Sequence, residues 1–252
     1  MISKNVKKLL AVAIAGCVFS SASYADPHTA TYEISITNLT NAAFLSRPVV
    51  AMHTENFKLF TLGSPNTSPG LEVIAETGSP TVLVDELKLL PEISEVRFLG
   101  GNAPNNGLLP GETVTGTFTA SKEFSHFSVY SMIAPSNDAF ISVNGIRVPY
   151  KHKTIFSPGY DAGTEANNER CNTDIPTNVS DPDSIPIPPQ MRPNICVFTP
   201  LIPAPPIAAV GSPGEGKILI HRGFQGVGDL NPAMFDWRNP TAQIVIKSIS
   251  RK

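Results

Sequence analysis

Three carboxylates in two short segments of this 252-residue chain have the residue types and spacing to do chemistry. Met132-Ile-Ala-Pro-Ser-Asn-Asp138 leaves an apolar run, enters a polar turn and ends on Asp138. Pro158-Gly-Tyr-Asp161-Ala-Gly-Thr-Glu165 carries two acids four positions apart. On a helical turn Asp161 and Glu165 would share one face, whereas in a loop Gly163 would let the chain fold tightly. Three carboxylates meeting at one end of a fold repel one another unless a cation neutralises them. Hard oxygen ligands without His or Cys favour calcium, which takes about six to eight oxygens, some from backbone carbonyls and water. The same acids also read as ordinary loop carboxylates that cap turns, a frequent role for Asp, and no EF-hand-type loop is present.

Other chemistry finds less support. Gly211-Ser-Pro-Gly-Glu-Gly216-Lys217 has the spacing of a phosphate-binding loop, but Ile218 stands where a Ser or Thr would hold magnesium. A strand pattern follows where a helix N-terminus should receive phosphates, so the stretch reads as a glycine turn and no nucleotide is expected. His28, His53, His126, His152 and His221 show no zinc-type partner spacing, and no GxSxG elbow occurs. Two of the acids could instead act as general acid and base in a glycoside hydrolase. A saccharide cleft usually brings aromatic platforms, and Trp237 is the only Trp.

The elements that must position these residues are mostly strands. Residues 31–38 alternate Tyr32, Ile34, Ile36 against Glu33, Ser35, Thr37, a period of two that marks a half-buried strand. Similar short runs at 48–53, 93–99, 113–120, 126–134, 139–143, 217–221 and 243–249 are β-branched or aromatic and bounded by Gly, Pro, Asn or Asp. Asn144-Gly145 between Val143 and Ile146 predicts a two-residue hairpin. Helical spacing is confined to 69–77 and 82–90. Eight short strands without a βαβ rhythm predict an all-β, antiparallel eight-stranded sandwich, with the short helices in a connection.

Composition agrees. Charged residues make up 16% of the chain, below the ~25% of an average soluble domain, and the net charge is −2. No Lys/Arg cluster lies beyond the N-terminus, so nucleic acid is not an expected partner. Residues 1–25 read as a secretory signal: Lys4, Lys7 and Lys8 precede an apolar run too short to span a bilayer, and Ser23-Tyr24-Ala25 suits signal peptidase. A rival reading takes Ile14-Ala15-Gly16-Cys17 as a lipobox that would lipidate Cys17. The apolar stretch before it is short for that purpose. The protein is expected in the periplasm, at the outer membrane or secreted, as one domain over 26–252. Cys171 and Cys196 are then the mature pair, most simply one disulfide in an oxidising compartment. Eleven of the 24 prolines fall in 172–213, predicting a long irregular excursion, since proline cannot donate to a sheet ladder.

Several separated motifs in order resemble a spondin domain, the module at the N-terminus of animal F-spondin and in many exported bacterial proteins. They are Tyr32-Glu-Ile-Ser-Ile-Thr-Asn-Leu39, Met132 to Asp138, Tyr160-Asp-Ala-Gly-Thr-Glu-Ala166 and His221-Arg-Gly-Phe-Gln-Gly-Val-Gly-Asp-Leu230. The resemblance runs from about Thr31 to the C-terminus. It implies a C2-like β sandwich with calcium held by loop acids, carried onto Asp138, Asp161 and Glu165. Animal members often have Asp where Glu165 stands, a longer reach with the same charge. The proline-rich insertion lies outside the shared core, and Asp229 reads as a turn residue. The expected function is non-enzymatic adhesion or recognition of a surface, matrix or membrane partner, or a purely structural envelope role.

Overall fold

Tyr32, Ile34 and Ile36 turn inward from strand β1 (Ala30–Asn38), and every other element is arranged around burying such alternating sets. The computed structural model describes residues 29–100, 107–169, 214–228 and 230–251. The expected signal and lipobox, Cys171, Cys196, Asp229 and all of the proline-rich excursion lie outside them. The remaining strands are β2 (Phe44–Leu45), β3 (Val49–His53), β4 (Ile93–Phe98), β5 (Thr113–Ala120), β6 (His126–Ala134), β7 (Ala139–Arg147), β8 (His152–Ser157), β9 (Gly159–Asp161), β10 (Leu219–Ile220) and β11 (Ala242–Arg251). The helices are α1 (Pro69–Thr77), α2 (Thr81–Lys88) and α3 (Pro232–Phe235).

Two antiparallel sheets result. One has four strands in the order β5-β1-β11-β8; the other has seven, in the order β10-β9-β7-β6-β3-β4 with β2 beside β6. Between them pack Ile34, Ile36, Phe118, Ile244 and Ile246 from the first sheet and Val50, Met52, Phe127, Val129 and Ile141 from the second. Side chains alternate across a strand, so Val49, Ala51, Tyr130 and Phe140 face the other way. There they meet Leu71, Ile74, Leu83 and Leu87 of α1 and α2 in a second core. Strands β3 and β6 are therefore buried on both faces, which explains why β3 is a nearly continuous apolar run, while β6 interleaves its apolar residues with buried His126, Ser128 and Ser131. The mostly-β, two-sheet expectation holds, and α1 and α2 do lie in the β3–β4 connection. They also form a third layer over the seven-stranded sheet.

Three strands beyond the expected eight need correction. β8 is an edge strand, mostly exposed and carrying His152 and Lys153, so it lacks the alternation that marks a half-buried strand. β9 and β2 are three and two residues long, too short to carry a period. The Asn144-Gly145 hairpin is also wrong. Both residues lie inside β7, where three steps along β7 oppose two along β6 between Phe127↔Ile146 and Val129↔Val143, a β-bulge with Gly145 at φ 77°. Asn144 uses its amide elsewhere: Nδ2 donates to the Phe60 carbonyl at 2.8 Å and Oδ1 accepts from Leu59 N–H at 3.3 Å, fastening residues 59–60 onto the sheet.

Helix α1 begins where the sequence places it because Ser68 caps it, accepting from Leu71 N–H at 3.0 Å, with Pro69 at the first position. Gly78 closes it in a left-handed conformation at φ 72°. Gly70 lets the two helices approach, since a Cβ there would lie 2.5 Å from Leu83 Cα. Among the described residues no helix is long and apolar enough to cross a membrane.

Candidate metal centre

The turn after β6 and the loop after β9 meet because β7 pairs with β9, with Ala139 opposite Asp161. Asp138 precedes β7 and Asp161 ends β9, so the two carboxylates enter the same corner. Ala162 N–H donates to the Asp138 carbonyl at 3.2 Å and fixes the loop there. Gly163 turns the chain at φ 69°, and any Cβ at that position would collide with the Lys217 backbone at 2.3 Å. The returning chain is held close as well, with Gly216 N–H donating to the Gly163 carbonyl at 2.9 Å.

Asp138 is fully buried. Its Oδ2 accepts from Thr164 N–H at 2.8 Å and Glu165 N–H at 3.0 Å, with the Thr164 hydroxyl at 3.3 Å. Its Oδ1 is buried and has no hydrogen-bond partner among the described residues. Asp161 is nearly buried; Oδ1 accepts from Gly163 N–H at 2.7 Å and Oδ2 from the Asn167 side-chain amide. That same amide donates to Glu215 Oε1 at 3.0 Å. Glu165 follows in the loop rather than on a helix and is half-buried.

Burial raises the proton affinity of these acids. Asp138 is pushed up to about 7 by burial and then by the Asp161 charge. Glu165 is pushed up to about 8 by burial, then by Glu76 and Asp138. Asp161 is raised by burial and by Glu215, against the hydrogen bonds from Asn167 and Gly163 and the charge of Arg222. An uncompensated buried carboxylate is expensive, and a divalent cation removes the cost that desolvation and mutual repulsion impose. The donors are all oxygen, the class calcium takes. Asp138, Asp161 and Glu165 therefore fit such an ion by chemistry. Among the described residues, however, no group of three His, Cys, Asp or Glu side chains is placed so that it could hold a metal ion. Glu165 couples to Asp138 and Glu76, while Asp161 couples to Glu215.

Glu76, Glu215, Asn137 and Asn167 escaped the sequence reading. Glu215 lies in the glycine-rich stretch set aside as a phosphate-loop decoy, and its contact with Asn167 spans 48 positions, beyond any local motif. Glu76 had one visible signal, an acid in the last turn of a short helix with no base beside it. The structure also shows a pair that spacing could not reveal: His53 Nε2 lies 2.8 Å from the Ser128 hydroxyl, with His53 Nδ1 2.7 Å from the Thr54 carbonyl. Both side chains are fully buried, and the same hydroxyl accepts Gly145 N–H at 2.8 Å, so the pair holds the bulge rather than facing a substrate.

Comparison with known proteins returns one family. The family model described as Spondin_N matches residues 30–184, the stretch that contains β1 through β9 and all three acids. The match stops short of 221–230, one of the four stretches on which the resemblance was drawn. A search of curated proteins found no match.

Proposed function

Because the chain belongs to the Spondin_N family, an extracellular adhesion-type module, we propose that it is an exported, non-enzymatic, calcium-binding adhesion or recognition module. It would act outside the cytoplasm, presenting the loops at the Asp138 corner to a surface, matrix or membrane partner. The observation that supports the reading most is Asp138: fully buried, one oxygen held by backbone amides, the other orphaned beside two more acids. Asp138, Asp161 and Glu165 would hold the ion. Bound calcium would supply charge neutralisation and oxygen cross-linking at that corner.

Within this reading, Asp138 provides the anchored carboxylate because two amides fix its plane. Asp161 is oriented by Gly163 and Asn167, and Glu165 contributes the longer, more mobile arm. The test is thermal unfolding of EDTA-treated protein with and without calcium. A ligand present at about 100 times its Kd stabilises the folded state by about 2.7 kcal/mol. We expect a calcium-dependent rise in Tm that magnesium reproduces poorly and that Asp161→Asn removes. An unchanged Tm in calcium rejects the metal assignment. Loss of turnover on a glycan in Asp161→Asn, with fold and Tm intact, would favour a hydrolase instead.

A further inference from the structure

Strands β5 and β8 bound the four-stranded sheet, so each has one side of its backbone without a strand neighbour. Cross-strand register identifies the atoms on that side. Ser248 N–H donates to the Lys151 carbonyl at 2.7 Å, and the ladder continues as Lys153↔Ile246, Ile155↔Ile244 and Ser157↔Ala242. Successive residues of an antiparallel strand turn their N–H and C=O to opposite sides, so these odd-numbered residues bond to β11. His152, Thr154 and Phe156 therefore direct their backbone groups away from the sheet. The same alternation on β5 sends Thr117 and Thr119 outward, and there the groups are taken: Arg97 donates to the Thr117 carbonyl and Glu95 accepts from Thr119 N–H. No strand lies beyond β8 among the described residues. His152, Lys153, Thr154 and Phe156 are all exposed, Phe156 at 54% although it is a large apolar side chain.

Charge says what such an edge would accept. From Ala139 to Tyr160 the chain carries Arg147, Lys151 and Lys153 and no acid, in a molecule whose 21 acids outnumber its 19 Lys and Arg. Lys151 and Lys153 share one face of β8, and His152, Thr154 and Phe156 share the other. Glu33 of β1 stands opposite Lys247 of β11, two strands in from the edge. Two copies of β8 laid side by side would bring like charges together, which is how edge lysines keep identical edges apart. An acidic strand meets the opposite condition. We propose that β8 receives an extended acidic segment of a partner protein as a fifth strand. Its carboxylates would lie beside Lys151 and Lys153, and its alternate, β-branched or aromatic side chains beside Thr154 and Phe156. Backbone bonds to His152, Thr154 and Phe156 would supply affinity, and the alternating side chains selectivity. This surface is separate from the Asp138 corner and does not rest on the calcium reading.

The experiment is fluorescence anisotropy of a short, terminally blocked peptide alternating glutamate with valine, titrated with the full chain in EDTA, with amide hydrogen exchange recorded alongside. The acidic peptide should bind saturably and protect the amides of His152, Thr154 and Phe156, whereas a peptide with lysine in place of glutamate should not bind. Thr154→Pro removes an N–H that points away from β11, a change an edge strand tolerates. It should weaken binding at least about tenfold with Tm close to wild type. Lys151→Gln with Lys153→Gln changes only exposed side chains, so the fold is kept whatever Thr154→Pro does. That double variant should also bind more weakly, and wild-type affinity should fall as salt is raised. Absence of binding to the acidic peptide, equal binding of the basic one, or binding that leaves the three amides unprotected overturns the proposal. Each of these results is read without calcium and leaves the metal assignment untouched.

Discussion

Asp138 Oδ1 has no donor while Oδ2 has two amides, and this asymmetry is open to measurement. Asp138→Asn keeps the shape and removes the buried charge. In EDTA the variant should melt no lower than the wild type; in calcium it should lose the whole metal-dependent rise, read by calorimetric melting. The pH dependence has a definite sign. Folded and metal-free, Asp138 and Glu165 keep protons up to about 7 and about 8, against 3.8 and 4.5 as ordinary carboxyls. The folded state thus binds more protons across that window, so these groups stabilise it less as pH rises from roughly 4 to 8. Tm in EDTA should be higher at pH 5 than at pH 8, and saturating calcium, which favours the ionised forms, should flatten or reverse that slope. That Asp138 and Asp161 enter one corner was legible because each lies at a strand end beside a polar turn. Glu215 was not, because its contact with Asn167 joins residues 48 positions apart.

Helices α1 and α2 touch through Gly70. A methyl there would meet Leu83 Cα at 2.5 Å, a backbone atom that cannot swing aside. Gly70→Ala should lower stability by about 1–3 kcal/mol by overpacking, despite the better helix propensity of Ala, in a denaturant titration. Gly145 offers a second case. Its φ of 77° sits in the β7 bulge, so Gly145→Ala should be destabilising by about 1 kcal/mol or more. That bulge shows where local reasoning ran out. Asn-Gly states that positive φ is available, but a hairpin and a bulge both use it, and pairing with β6 decides between them. β1, β5 and β6 were readable because their residues face one or two apolar layers; the edge strand β8 faces water and carries no such record.

Taken whole, the molecule has one sandwich edge sealed by side chains. Glu95 and Arg97 of β4 reach the outer strand β5: Glu95 Oε2 accepts from Thr119 N–H at 3.1 Å, and Arg97 donates to the Thr117 carbonyl while lying 4.3 Å from the Phe118 ring centre. An open strand edge invites pairing with other chains. The double variant Glu95→Ala with Arg97→Ala should raise concentration-dependent association in sedimentation velocity. The Asp138 corner lies at the other side of this architecture, where β7, β9 and the returning chain at Gly216 meet. The most direct test of the account is a crystal structure of the calcium-loaded protein with anomalous scattering recorded. It should show one calcium bound by Asp138 Oδ1, Asp161 and Glu165, with oxygens at about 2.3–2.6 Å. A map with no ion at that corner, from crystals grown in excess calcium, would contradict it.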